Sequence, residues 1–130
     1  MHRALFGAAA VSVGVVFSAT AAEHTKDTPA DVKTAVADGT AVVIDVREAD
    51  EWADGHLKAA ASLPLSAIQA GVPADQLQAL MPPGKVVYLH CAAGGRCLKA
   101  ADLLKAAGHD TRPLKPGYAD LAKAGFETAK

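Results

Sequence analysis

The chain moves between two spacings of apolar residues, one helical and one extended, with breaks rich in glycine or proline between them. In "TPADVKTAVADG", Val32, Ala35 and Val36 share one helical face. Thr28 suits the N-cap, Pro29 the first helical position and Gly39 the stop. "TAVVIDV" is a β-branched apolar run, the pattern of a buried strand. "READEWADG" predicts a short helix ended by Gly55, and "HLKAAASLPL" returns to extended chain because Pro64 blocks a helix. "LSAIQAG" and a stretch near Asp75–Leu80 predict two further short helices. "KVVYLH" repeats the buried-strand pattern. "RCLKAADLLKAAGH" is the clearest helix, with Leu98, Ala101, Leu104 and Lys105 near helical spacing and Gly108 ending it. "DTRPL" fits a short edge strand, where a proline is tolerated, and "KPGYADLAKAGF" a last turn and helix. Strands alternating with helices predict an α/β domain with a mostly parallel central sheet flanked by helices.

The first residues follow a different pattern. "MHRALFGAAAVSVGVVFSATAAEH" has a basic head at Arg3, an apolar run from Ala4 to Phe17 and a small-residue stretch from Ser18 to Ala22. That order predicts a cleaved secretory signal, with cleavage after Ala21 or Ala22 at an Ala-x-Ala type of site. An uncleaved anchor is the alternative, but the run is shorter than the roughly 20 residues that cross a bilayer. No cysteine follows the site, which argues against a lipid-anchored form. Residues 1–22 are therefore predicted as signal peptide and residues 23–130 as one domain. The expected location is the periplasm, with no stable membrane association after cleavage.

Composition narrows the function classes. The 130 residues carry a formal net charge of −1 and no basic cluster, so nucleic-acid binding is not suggested. A domain of this size can bury a workable core without metal or disulfide staples. The two cysteines, Cys91 and Cys97, lie in one loop. A bridge between them would close a very small ring and add little chain-entropy stabilisation. A reactive or redox pair is the stronger reading.

The stretch "VVYLHCAAGGRCLKAADLL" places Cys91 between a buried strand and a helix start. In parallel sheets, ligands bind beyond the carboxyl ends of the strands, and Cys91 sits at such an end. Three features suit thiolate chemistry. A helix N-terminus and a nearby cation lower a thiol's pKa from its ordinary value near 8.5. Ala92, Ala93, Gly94 and Gly95 have little side chain, so their backbone can curl around an anion. Arg96 can hold an oxyanion by paired hydrogen bonds. A buried structural cysteine followed by an ordinary glycine turn is the competing reading.

"CAAGGRC" resembles the catalytic loop of the rhodanese-like family, which runs from a cysteine through a glycine to an arginine at the mouth of a helix. "VVIDVREADEWADGHLKAAASLPL" resembles that family's other hallmark, at Asp45, Arg47, Glu48, Glu51, Trp52, Gly55 and His56. "KPGYADLAKAGF" is similar to its closing glycine turn and helix. The resemblance implies a single rhodanese-like domain and a sulfurtransferase. Cys91 would attack a small sulfane-sulfur donor of the thiosulfate or persulfide type, and then pass the outer sulfur to cyanide, a thiol or a periplasmic protein. Arg96 would bind the donor and polarise its leaving group. The amides of Ala92, Ala93, Gly94, Gly95 and Arg96 would form the cradle. No cofactor and no metal is expected, since His90, Cys91 and Cys97 match no standard zinc spacing. Four residues separate Cys91 from Arg96, against five in phosphatases with a similar cradle, which favours sulfur over phosphate transfer; arsenate reduction remains possible on related scaffolds.

The chain also departs from the family pattern. Ala92 stands where a bulky or basic residue is common, Cys97 where serine or threonine is usual, and Lys58 and Ala59 where Pro-Gly often follows. Pro116, Gly117 and Leu121 occupy a region that often carries two glycines and a tryptophan. Cys97 is either a resolving thiol for Cys91 or a serine-like residue packed at the helix start. Asp45 and Arg47 are expected as a supporting ion pair, His56 as a turn-holding residue and Trp52 as core. Strand alternation points His90 away from Cys91. Two other functions stay open: a thiol-disulfide redox protein using Cys91 and Cys97, and a non-catalytic sulfur carrier or binding module.

Overall fold

The computed structural model describes residues 20–130. The signal-peptide expectation falls mainly on residues 1–19, outside that range. The chain forms α1 (Pro29–Ala37), β1 (Ala41–Asp45), α2 (Ala49–Asp54), β2 (His56–Leu57), β3 (Ala60–Ser62), α3 (Leu65–Ala70), α4 (Ala74–Leu80), β4 (Val86–His90), α5 (Gly95–Ala106), β5 (Arg112–Pro113), α6 (Tyr118–Lys123) and β6 (Thr128–Ala129). The helix ends follow local chemistry. Thr28 caps α1 by accepting from the Asp31 N–H, and the Asp31 carboxylate accepts from the Thr28 N–H in return.

The main sheet has four strands in the order β3-β1-β4-β5, all parallel, as the alternating pattern predicts. From β1 the chain passes to one side as β3, then crosses back to the other side as β4. The carboxyl ends of β1 and β4 therefore lie side by side where the strand order reverses, with Asp45 in register with His90. That is where such sheets open a crevice for ligands.

Strand alternation sorts the core onto the two faces. Ile44, Val87, Leu89 and Cys91 pack with Leu65, Leu77, Cys97, Ala101 and Leu104 from α3, α4 and α5. Val43 and Tyr88 face the other way and pack with Val32, Leu114, Leu121 and Phe126. Both faces are covered, which is why β1 and β4 read as continuous apolar runs. The buried stripe of α5 is Cys97, Ala100, Ala101 and Leu104, which places Cys97 in the core and leaves Lys105 in solvent.

Two features differ from the sequence reading. A second, two-stranded antiparallel sheet pairs β2 with β6. Two-residue strands carry no readable period, so only the meeting of distant segments reveals them. Trp52 is half-buried, belongs to neither core cluster and stacks on His56 with ring centroids 3.6 Å apart. The two rings shield each other at the end of α2, and His56 Nδ1 donates to the Trp52 carbonyl at 3.0 Å. His56 thus holds the turn, as expected.

One buried ion pair ties the strand end to the following loops. Arg47 donates to Asp45 from Nε and Nη2 at 3.1 and 2.8 Å, and from Nη2 to the Gly55 carbonyl at 2.7 Å. Its guanidinium lies 4.2 Å from the Tyr118 ring centroid, a cation–π contact that joins α6 to the loop after β1. Removing one partner strands the other's charge in the interior. Arg47→Ala is expected to cost about 3–5 kcal/mol in urea denaturation. Lys58→Ala, which breaks an exposed pair with Glu127, is expected to leave the midpoint unchanged.

Candidate active site

Cys91 follows the last residue of β4, and α5 begins four residues later at Gly95. The intervening turn depends on Gly94, whose φ of +88° lies in the left-handed region. A Cβ there would sit 2.8 Å from the Lys115 carbonyl oxygen. The loop is backed equally tightly from α6. A Cβ on Gly117 would lie 1.7 Å from the Ala92 carbonyl oxygen, and the Tyr118 N–H donates to the Cys91 carbonyl at 2.9 Å. Glycine at 117 is therefore a requirement of close backbone approach.

This turn aims backbone donors at the sulfur. The Gly94 N–H donates to Cys91 Sγ at 3.0 Å, and the amides of Ala93 and Cys97 also face it. Of the five amides expected around the sulfur, those of Ala93 and Gly94 reach it, joined by that of Cys97 and not by those of Ala92, Gly95 or Arg96. Ala92, Ala93 and Gly95 are exposed and form the rim, while Cys91 itself is 1% exposed. An approaching donor meets two methyl groups and backbone rather than a bulky or basic side chain.

The Cys91 thiol is lowered from 9.0 to about 5. The Cys97 thiol, donating toward Cys91 Sγ, is the largest cause. Burial opposes the shift, and the amides of Cys97, Ala93 and Gly94 add to it. The single Cys97 proton has three acceptors to choose from, because the Gly94 and Leu114 carbonyls lie 3.1 and 3.3 Å from Cys97 Sγ. When Cys91 is ionised, its sulfur carries the full negative charge and attracts that proton most strongly. Cys97 is pushed far up by its bond to Cys91, by burial and by the neighbouring negative charge. It stays protonated and acts as a donor.

Arg96 is held protonated chiefly by its hydrogen bond to Glu51, with the Cys91 charge adding to the effect. Its guanidinium meets Glu51 of α2 through two bonds, Nη1 to Oε1 and Nη2 to Oε2, the latter at 2.9 Å. Glu51 is lowered to about 2, chiefly by that hydrogen bond. Both side chains remain about one-third exposed, so the pair is open to a competing anion. The motif residues Glu51 and Arg96 thus meet across the fold, a pairing no spacing in the sequence displays.

His90 is fully buried on the opposite face from Cys91, 3.7 Å from Asp45 through Nε2. Burial lowers its pKa and keeps it neutral there. It makes no contact that would let it deprotonate Cys91. Tyr118 stacks against Arg47, and His24 from the segment before α1 donates from Nε2 to the Gly94 carbonyl at 2.7 Å. Neither contact is legible from local pattern. Among the described residues, no cluster of histidine, cysteine or carboxylate side chains forms a metal site.

The rhodanese-like domain family matches residues 28–124. The chain belongs to the rhodanese-like domain family. Solved structures agree with that membership. A Helicobacter pylori protein determined by NMR is 30% identical, with a TM-score of 0.58, over 70% of this chain and 79% of that one. The rhodanese-like domain of an Anabaena protein is 22% identical, with a TM-score of 0.65, over 82% and 80%. The human single-domain sulfurtransferase TSTD1 is 24% identical, with a TM-score of 0.59, over 75% and 97%. Comparison with curated proteins returned no match. The expected α/β class with its mainly parallel sheet is thereby shown for this rhodanese-like chain.

The Cys97 thiol and the amides around Cys91 favour its thiolate. Ultraviolet absorbance of the thiolate is expected to titrate with a midpoint near pH 5 in the native protein. Cys97→Ala is expected to raise that midpoint by about one to two units, the worth of a hydrogen bond to a charged group, while Cys97→Ser keeps a donor and most of the shift. The folded-state pKa lies below the unfolded value. The associated stability is therefore complete above about pH 9 and is lost as the pH falls through about 5.

Proposed function

We propose that this chain is a sulfurtransferase that works through a persulfide on Cys91. The observation that carries the reading is the acidic Cys91 sulfur held by three amides at the sheet's switch point. With thiosulfate as donor, the thiolate attacks the outer, sulfane sulfur. A sulfur–sulfur bond forms to Cys91, the sulfane sulfur–sulfite bond breaks, and sulfite leaves with the electron pair. Cyanide or a second thiolate then attacks the outer persulfide sulfur and departs as thiocyanate or a new persulfide, returning Cys91 as thiolate. The amides that stabilise the thiolate also suit the persulfide anion, because both place negative charge at the mouth of the loop.

Arg96 fits a donor-binding role, exchanging Glu51 for an incoming anion at its exposed edge. Cys97 serves as the proton donor that keeps Cys91 ionised. A resolving thiol must itself become a thiolate, and its two carbonyl acceptors and charged neighbour oppose that. The geometry therefore favours sulfur transfer over a Cys91–Cys97 redox couple. The small, neutral rim at Ala92 and Ala93 suits a thiol or protein acceptor as well as a small anion. The amino-terminal pattern supports export to the periplasm as the place of action.

Intact-mass measurement after thiosulfate treatment tests the reading. The wild-type chain is expected to gain the mass of one sulfur atom, lost again on adding cyanide, and Cys91→Ala is expected to gain nothing. A wild-type chain that never acquires the sulfur overturns the proposal. Arg96→Ala is expected to slow sulfur loading by about tenfold or more at low thiosulfate, as loss of a charge-assisted hydrogen bond implies.

A further inference from the structure

The segment before α1 is strapped along the edge formed by α5 and β5. The Ala22 N–H donates to Asp102 Oδ1 at 2.7 Å, and the Thr25 N–H donates to the Pro113 carbonyl at 2.8 Å. Asp27 Oδ2 accepts from Tyr88 Oη at 2.7 Å and from Arg112 Nη1 at 2.9 Å. Between these anchors, His24 reaches the Gly94 carbonyl. Ala22 packs against the core cluster that contains Cys91 and Cys97. A strap fixed by five hydrogen bonds is part of the fold, although it lies outside residues 28–124 that the family match covers.

The first of these anchors coincides with a sequence feature. Ala19-Thr20-Ala21 places alanine at both positions that a leader peptidase reads, directly before Ala22. Hydrolysis of the Ala21–Ala22 bond adds the hydroxyl of water to the Ala21 carbonyl and its proton to the Ala22 nitrogen. The nitrogen already placed 2.7 Å from Asp102 would then carry a full positive charge. Cleavage one bond later would remove both Ala22 and its packing against the core.

We propose that export processing occurs after Ala21 and that the Ala22 ammonium it creates forms an ion pair with Asp102, anchoring the strap that carries His24 onto the catalytic loop. The inference rests on the export reading and chooses between the two cleavage bonds that the sequence leaves open. The other charged groups around this cleft are Glu23, Asp110 and Lys105. The two carboxylates favour the ammonium, and Lys105 opposes it. Asp102 is exposed on α5, away from the sulfur, so its charge can be removed without touching the cradle.

The full-length gene, expressed in a Gram-negative host and recovered from the periplasm, provides the test. Intact mass is expected to give a chain beginning at Ala22. Pulse acylation of the α-amino group near neutral pH is expected to be about threefold slower than in Asp102→Asn, since half a unit of raised pKa changes the free-amine fraction by that factor. A variant lacking Ala22, processed to begin at Glu23, is expected to acylate at the faster rate as well. An exported chain that begins at Glu23 overturns the cleavage position. Equal acylation rates in wild type and Asp102→Asn overturn the ion pair. A chain that keeps its leader overturns the export reading and this inference together, while persulfide formation on Cys91 is read independently of all three.

Discussion

A charged sulfur held inside the protein is the constraint around which this molecule is arranged. Burial alone would drive the Cys91 thiol to its neutral form. The opposing contributions come from groups that have no better use: the amides of Ala93, Gly94 and Cys97, which sit where a helix begins and so lack carbonyl partners within it, and the Cys97 thiol. Gly94 must adopt a left-handed conformation to turn its N–H inward, and Gly117 must be bare so that α6 can close against the Ala92 carbonyl. The loop is thus rigid because it is packed from behind, and the electrostatics follow from that rigidity.

Arg47 and Arg96 are held differently. Arg47 is buried, bonded to Asp45 and Gly55 and stacked on Tyr118, with no freedom to meet a substrate. It joins the end of β1 to α6, the helix that backs the cysteine loop. Arg96 shares Glu51 at the surface, where water and incoming anions compete with the carboxylate. The first arginine is fixed within the scaffold, and the second stays partly exposed at the surface.

Cys97 stands where the family pattern usually has serine or threonine, and its thiol offers a proton as a hydroxyl would. A hydroxyl at this position would donate one proton toward the loop, and the thiol here does the same toward Cys91, Gly94 or Leu114. Its own ionisation is suppressed by the charge it helps to create. Two cysteines six positions apart thereby acquire opposite characters, one acidic and one held protonated, from their places relative to the same helix start.

Much of this was legible along the chain, because strands, helix caps and the cysteine loop are written within short windows. The runs before Asp45 and Cys91 declare buried strands, Thr28 and Pro29 a helix start, and the small residues from Ala92 to Gly95 a backbone able to surround an anion. Other features needed the folded chain. The Glu51–Arg96 pair, the His24 contact with Gly94, the β2–β6 sheet and the stacking of Trp52 on His56 instead of core burial join segments whose separation carries no periodic signal. Likewise, only the folded chain places Cys97 on the buried stripe of α5. Local spacing determines which atoms can be offered, because φ, ψ and side-chain direction are set within a few residues. Which atoms meet across the sheet is decided by packing, and it is packing that turns an ordinary thiol into an acidic one.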